Sequence, residues 1–469
     1  MPQRRQKTSD NILRFWHLSI HGANGIFSQC CINCIGKRRC FDDLKLLRYG
    51  SVGPQVELLQ LALQREGALR EAPDGIFGPR TREAVTGFQR RSGLAADGIA
   101  GSATWQALTP WLTGCRTVTI RPGDTFYKLA LRWGVSLRGA ETANPEADPL
   151  NLQPGQKLVL PLPFEVVPAN IRFTSTALDF CLRGLAARYP FLETEEVGQS
   201  VLGKPLRLLR FGRGRNQVFF NAAHHANEWI TAPLLLRFLE RLCAAYASGQ
   251  AVGGIRAEEL WTRCTLHLLP LVNPDGVDLV TGELGPEDAA YGEALAMNGS
   301  QAGFPDNWKA NIRGVDLNLQ YPAGWEEARR IKFSQGYSKP GPRDYVGSAP
   351  LTEPESRAVY DYSLHNPFDL TLSYHTQGQV IYWKYDGFDP PHAKAIGRRL
   401  AALSGYALEL TPAESAYAGY KDWFIQQFDK PGYTVEAGKG VSPLPLSQFE
   451  EIWRANEPLL ACAMIATAE

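Results

Sequence analysis

Long apolar runs are missing from this chain. No stretch of roughly 18 consecutive apolar residues occurs, so no membrane-spanning helix is expected. A surplus of either charge is missing too. The 49 Lys and Arg stand against 48 Asp and Glu, and a net charge of +1 gives no electrostatic case for nucleic acid or an anionic membrane surface. A clear secretory signal is also absent. Arg4, Arg5 and Lys7 give a basic start, but the apolar stretch after it is broken by His17 and His21, and no small-residue cleavage site stands out. Residues 1–43 are left unassigned and expected to be a flexible leader. The nine cysteines are an odd number. Cys115, Cys181, Cys243, Cys264 and Cys462 lie mostly in apolar runs and read as reduced core thiols. Cys30, Cys31, Cys34 and Cys40 crowd the leader, without a second C-x-x-C pair at zinc-ribbon distance.

What is present is length for several domains, with 44% hydrophobic and 21% charged residues, a globular balance. Residues 44–112 carry a repeat: Asp74-Gly75-Ile76-Phe77-Gly78-Pro79-Arg80-Thr81 returns as Asp97-Gly98-Ile99-Ala100-Gly101-Ser102-Ala103-Thr104. Each copy reads as a D-G turn, a glycine, and a threonine suited to start or cap a helix. A compact three-helix unit is expected. It resembles the peptidoglycan-binding domain of bacterial wall hydrolases. In 116–162, Val118-Thr119-Ile120 reads as a strand, Arg121-Pro122-Gly123-Asp124-Thr125 as a turn and cap, and Leu152 to Pro161 as a turn and closing strand. This βααβ pattern resembles a LysM domain, a resemblance that implies binding of N-acetylglucosamine-containing glycan.

After a short tether at 163–167, residues 166–469 alternate strand and helix signals. Strands are expected at 216–221, 265–272, 369–375, 379–383 and 432–436, and helices near 230–246, 353–364, 391–404, 421–428 and 446–466. The alternation predicts an α/β domain with helices on both faces of a sheet. Between the strand Val218-Phe219-Phe220 and the first of these helices lies His224-His225-Ala226-Asn227-Glu228-Trp229. A histidine and a glutamate three apart can reach one small cation, and a borderline-soft ion such as Zn²⁺ accepts that pair with a third ligand. The spacing alone arises by chance in roughly every second chain of this composition. The third ligand comes from a strand end: His375 closes Leu370-Thr371-Leu372-Ser373-Tyr374, at the edge where open α/β sheets build sites. His267 reads as a core histidine, His365 as a helix end, and His224 as a neighbour that orients the loop. Glu436 closes the apolar strand Gly432-Tyr433-Thr434-Val435 and is placed to take a proton from water.

The domain resembles the zinc carboxypeptidase family through ordered segments: His225 to Trp229, Asn273-Pro274-Asp275-Gly276, Gly314-Val315-Asp316-Leu317-Asn318, Ser373-Tyr374-His375, Asp422-Trp423 and Thr434-Val435-Glu436. The resemblance implies one Zn²⁺ on His225, Glu228 and His375, with Glu436 as general base. Asp316 matches the acid that fixes a ligand histidine, and Asn318 a contact to a substrate carboxylate. There are three departures. Leu319 stands where the family has the arginine that clamps a terminal carboxylate. Lys309 stands where it has the arginine that stabilises an oxyanion, with Arg313 near enough in sequence to substitute. Lys421 occupies the position that sets side-chain specificity, where a cation suits an acidic leaving-side residue. Tyr417 is the candidate for the family's mobile tyrosine.

Two wall-binding modules on such a peptidase are similar to bacterial γ-D-glutamyl-meso-diaminopimelate endopeptidases. The expected partners are peptidoglycan stem peptides and wall glycan. A metallocarboxypeptidase on other peptides and an inactive wall-binding protein are the alternatives. The expected location is the cell wall or the surrounding medium, with the cytoplasm, for example of a spore mother cell, as the alternative.

Overall fold

The structure, a computed structural model, describes residues 44–468. The expected leader and its four cysteines lie outside the described residues. Three helices, Pro54–Glu66, Pro79–Arg91 and Ser102–Thr113, form the first module. The sequence places Thr81 and Thr104 as helix starts or caps. The structure instead gives the N-cap positions to Gly78 and Gly101 and buries both threonines in the first turn. A glutamine of the preceding helix explains this. Gln60 Nε2 donates to Asp74 Oδ1 at 2.7 Å and Thr81 Oγ1 at 3.1 Å. Gln89 repeats the pattern with Asp97 at 3.0 Å and Thr104 at 3.1 Å. The repeat is therefore a buried polar lock, and Gln60 and Gln89 are the members that the D-G pattern does not reveal.

In the second module β1 (Cys115–Thr119) pairs antiparallel with β2 (Lys157–Pro161), so that Cys115 faces Pro161. Between them lie the helices Phe126–Trp133 and Leu137–Thr142, capped by the side chains of Thr125 and Ser136. The βααβ order agrees with the sequence reading.

The remaining strands are β3 (Glu193–Gln199), β4 (Pro205–Gly212), β5 (Asn216–Ala222), a small hairpin of β6 (Ala251–Val252) and β7 (Ile255–Arg256), β8 (Cys264–Leu269), β9 (Leu370–His375), β10 (Val380–Tyr382), β11 (Ala407–Glu409) and β12 (Gly432–Glu436). Eight of them form one mixed sheet in the order β11-β10-β12-β9-β5-β8-β4-β3. The four central strands, β12, β9, β5 and β8, run parallel. Strands covered on both faces need apolar residues throughout, and β5 shows why the sheet sits where it does. Val218 and Phe220 pack with Leu235, Leu239 and Leu460 of the helices Thr231–Ser248 and Phe449–Ile465. Phe219 faces the other way into Tyr420, Phe424 and Val359. Each fully buried side chain of this size stabilises by about 2–3 kcal/mol. No helix among the described residues is long and apolar enough to cross a membrane.

Within the eight-stranded sheet, β3, β4 and β11 were not expected from the sequence. Strand β3 carries Glu193, Glu195 and Glu196 on a largely exposed edge, so it has no apolar period. Cross-strand pairs replace it: Arg210 lies 2.7 Å from Glu193, and Arg207 3.2 Å from Glu196. Charged edges of this kind discourage pairing with other chains.

The segment expected to be a tether is instead a buried seam. Val166 and Val167 are buried, and their amides donate to Glu240 Oε1 and Oε2 at 2.7 and 2.9 Å. Arg188 faces Glu240 at 3.6 Å and donates to the carbonyls of Gly114 and Leu162 at 2.9 and 2.8 Å. Arg65 of the first module donates to the carbonyls of Glu165 and Val166 at 2.7 and 3.0 Å. Glu57, also of the first module, receives Arg172 Nε at 2.8 Å. Cys181, Cys243 and Cys264 are buried free thiols, Cys462 is buried, and Cys115 is half-buried.

Candidate active site

Three adjacent parallel strands, β5, β9 and β12, deliver the chemistry at their carboxyl ends. The chain leaves β5 through His224 and His225, makes one tight turn over Ala226–Glu228, and enters the helix Thr231–Ser248. The turn puts Glu228 back beneath His225. His375 is the last residue of β9, and Glu436, the last of β12, is its register partner. Asn273 holds the turn from the next strand, donating to the carbonyls of His224 and Ala310 at 3.1 and 3.0 Å.

His225 Nδ1 lies 3.0 Å from Glu228 Oε1, and His375 Nδ1 lies 2.9 Å from Glu228 Oε2. The two Nδ1 atoms are 3.0 Å apart. All three side chains are buried. Two imidazole nitrogens and a carboxylate facing one another at this separation need a positive charge among them. Their N,N,O donor set suits zinc with one position left open. The tautomer also fits. His225 Nε2 meets Asp316 Oδ1 at 3.1 Å, so in the neutral ring Nε2 carries the proton and Nδ1 turns its lone pair inward. His375 Nε2 is met by Ser373 Oγ at 3.4 Å and Asn318 Nδ2 at 3.5 Å.

Electrostatics describe the same site. Burial works against a charge on His225, but the Glu228 carboxylate and Asp316 raise it to about 9. Burial also opposes ionisation of Glu228, and His225 and His375 nonetheless hold its carboxyl well below the usual range. A proton on His225 thus occupies the place of a cation, and metal binding would release it. Glu436 is pushed up to about 8, by burial first and by the negative charge of Glu228 second. Lys309 is raised despite burial, because Asp316, Asp344 and Glu228 surround it. Its Nζ lies 3.6 Å from Asp316 Oδ2.

The structure therefore brings together His225, Glu228, His375, Asp316, Lys309, Asn318 and Glu436. Asn318 Oδ1 also accepts from the amide of Tyr420 at 3.0 Å. Three other residues expected at the site have contacts of their own. Arg313 is not brought to the trio: its side chain is more than half exposed and pairs with Glu353 at 3.7 Å. Lys421 is not a free cation. It is buried, 2.6 Å from Asp422 Oδ1, and donates to the Lys384 carbonyl and Thr411 Oγ1 at 2.8 and 3.0 Å. Tyr417 packs edge-on against Tyr385, with ring centroids 6.4 Å apart, beside Gly324. His224 is buried and meets Tyr321 Oη at 2.9 Å. His267 bonds Tyr362 Oη and Gln217 in the sheet. The segment 341–345 beside Lys309 went unnoticed in the sequence, where nothing periodic marks it.

Comparison with known proteins agrees with this geometry. The zinc carboxypeptidase model matches residues 179–458, a peptidoglycan binding domain model matches 52–108, and a LysM domain model matches 118–161. Gamma-D-glutamyl-L-diamino acid endopeptidase 1 of Lysinibacillus sphaericus is 41% identical over 273 residues, covering 58% of this chain and 67% of the relative. Uncharacterized protein YqgT of Bacillus subtilis (strain 168) is 39% identical over 290 residues, covering 61% of this chain and 76% of that one. The crystal structure of thrombin activatable fibrinolysis inhibitor shares the fold with a TM-score of 0.50 at 16% identity, over 68% of this chain and 90% of that chain. With the matched region spanning more than half of its length, and the strand ends carrying a histidine–glutamate–histidine trio, the chain belongs to the zinc carboxypeptidase family and is a metallopeptidase.

Proposed function

We propose that this protein hydrolyses the γ-D-glutamyl-meso-diaminopimelate bond of peptidoglycan stem peptides, using one zinc ion held by His225, Glu228 and His375. The observation that carries hydrolysis is the buried convergence of these three donors with Glu436 in register beside them. The printed activity of the Lysinibacillus relative supports the choice of bond. Leu319 supports it too, because an enzyme reading a free C-terminal carboxylate gains most from a guanidinium fork there.

When bound, zinc supplies Lewis-acid polarisation of the scissile carbonyl and acidifies water in the site. Glu436 takes the proton of the attacking water on a carboxylate oxygen and returns it to the leaving amine. The carbon–nitrogen bond breaks as that proton arrives, leaving a D-glutamyl γ-carboxylate and a free amine. Lys309 brings positive charge to the developing oxyanion, a point charge in place of a planar fork. Asp316 keeps His225 in the inward tautomer and balances Lys309. Asn318 and the Lys421–Asp422 pair would serve the leaving side, where diaminopimelate offers a zwitterionic end.

The two N-terminal modules, proposed as 44–112 and 116–162, would hold the enzyme on wall glycan, at the wall or after release from it. The test is mass spectrometry of products from L-Ala-γ-D-Glu-meso-diaminopimelate with and without a chelator. L-Ala-D-Glu and free diaminopimelate, abolished by chelation, are expected. Trimming of ordinary peptides from the C-terminus, with this substrate left intact, would favour a conventional carboxypeptidase.

A further inference from the structure

A γ-linked substrate poses a problem that an α-linked peptide does not. The glutamyl residue enters the scissile bond through its side-chain carboxyl, so its α-carboxylate stays free and charged on the acyl side of the cut. Selecting this linkage calls for a cation on that side, because a buried site rewards the correct charge and penalises its absence. The cations expected from the sequence are all engaged. Lys309 is paired with Asp316, Lys421 with Asp422 and Arg313 with Glu353. Leu319 offers no charge.

We propose that Arg343 supplies this cation, gripping the free α-carboxylate of the γ-D-glutamyl residue and so determining linkage specificity. The inference rests on the functional reading above and adds a residue to it. The segment from Gly341 to Tyr345 lies directly against the site. The amides of Lys309 and Ala310 both donate to the carbonyl of Pro342, at 2.7 and 2.9 Å. The amide of Asp316 donates to the carbonyl of Tyr345 at 2.8 Å, and that of Gly341 to Gly314 at 3.0 Å. Arg343 is therefore strapped between the oxyanion-side lysine and the acid that holds His225.

Its side chain is held at one nitrogen and left open at the other two. Arg343 Nε donates to Asp344 Oδ2 at 2.7 Å, and Asp344 is held from the other side by Lys332 at 2.9 Å. Asp344 sits at φ 62, a conformation that a non-glycine residue adopts at a cost and that bends the strap here. Pinning Nε fixes the plane of the guanidinium and leaves the two Nη groups, which have no hydrogen-bond partner among the described residues. The side chain is 51% exposed, against 10% for Asp344. Lys332 offsets the charge of Asp344, so Arg343 keeps its own. A planar fork with two free donors is the geometry that takes a carboxylate bidentately.

The experiment uses the full chain, loaded with zinc, on two tripeptides: L-Ala-γ-D-Glu-meso-diaminopimelate and its isoglutaminyl counterpart, in which the α-carboxylate is an amide. The wild type is expected to prefer the free acid by about 10- to 100-fold in kcat/KM, the range of a charged hydrogen-bonded pair. Arg343→Ala and Arg343→Gln are expected to lose that preference by falling on the acid while holding on the amide. Arg343→Lys is expected to recover part of it. Alanine and glutamine variants that keep the wild-type preference would overturn the proposal, and so would variants that lose activity equally on both peptides. A wild type that cuts neither peptide would instead refute the functional reading on which it stands.

Discussion

Asp316 is the residue whose removal reports most directly on how the site is built. Its side chain is buried and serves three neighbours. Oδ1 meets His225 Nε2 at 3.1 Å and the Asn318 amide at 3.1 Å, and Oδ2 lies 3.6 Å from Lys309 Nζ. Asp316→Ala frees the His225 ring to rotate and to exchange tautomers. Losing such a support lowers metal affinity by about 10- to 100-fold, or about 1.4–2.7 kcal/mol. It also leaves Lys309 without its nearest anion. Because Lys309 keeps some solvent exposure, the cost to apoenzyme stability is set at about 2 kcal/mol, below that of a fully buried broken pair. Zinc affinity is measured by titrating apoenzyme against a chromogenic chelator, and stability by urea unfolding in a chelating buffer. Asp316→Asn keeps an oxygen for His225 and should retain more of the affinity than Asp316→Ala. An alanine variant that binds zinc within about two-fold of wild type, while His225→Ala does not, would refute this account of the tautomer.

Other outcomes follow from the same geometry. Glu436→Gln should keep one zinc per chain by metal analysis and lose roughly 10²- to 10⁴-fold in turnover, because it removes the proton carrier and no donor of the trio. Lys421→Met should lower the unfolding free energy by about 3 kcal/mol, since Asp422 is left buried without its partner, and Lys421→Met with Asp422→Asn should regain most of it in urea melts. Glu355 gives a pH test away from the metal. Burial raises it from 4.5 to about 7, so the folded chain holds its proton more tightly than the unfolded one. Its contribution is complete below pH 4.5 and is lost as pH rises through about 7, a loss of about 3 kcal/mol. Urea titrations between pH 5 and pH 8 should show that slope flatten in Glu355→Gln.

The central part of this fold was legible because buried parallel strands write themselves as unbroken apolar runs. Val218-Phe219-Phe220 and Leu370-Thr371-Leu372 stand out for that reason, and each hands its carboxyl end to a residue of the trio. The edge strands were not legible. Strand β3 is held by arginine–glutamate pairs whose partners lie on another strand, and no local pattern encodes them. The site divides in the same way. His225, Glu228, His375 and Glu436 follow from strand ends, and their positions in the structure match that logic. Lys421 read only as a cation suited to an acidic leaving-side residue, because the Lys384 carbonyl and Thr411 that enclose it follow two separate strands, β10 and β11, and carry no local signal. Arg343 was invisible for the converse reason. It reaches the site through backbone hydrogen bonds at Pro342 and Tyr345, which carry no side-chain signature.

The seam around Arg188 and Glu240 has a mechanical meaning. A floppy leash lets a tethered catalyst sample every peptide within its radius, at a local concentration that falls as the leash lengthens. Here Arg65, Arg172 and Arg188 clamp the modules and the cleft into one body, with Val166 and Val167 buried between them. Such a body behaves as a caliper. If the modules seat on wall glycan as proposed, the cleft would meet stem peptides at a fixed offset and orientation, and cuts would fall at regular intervals. Breaking the clamp by Arg188→Ala would turn the caliper back into a leash, and the spacing of the cuts would spread.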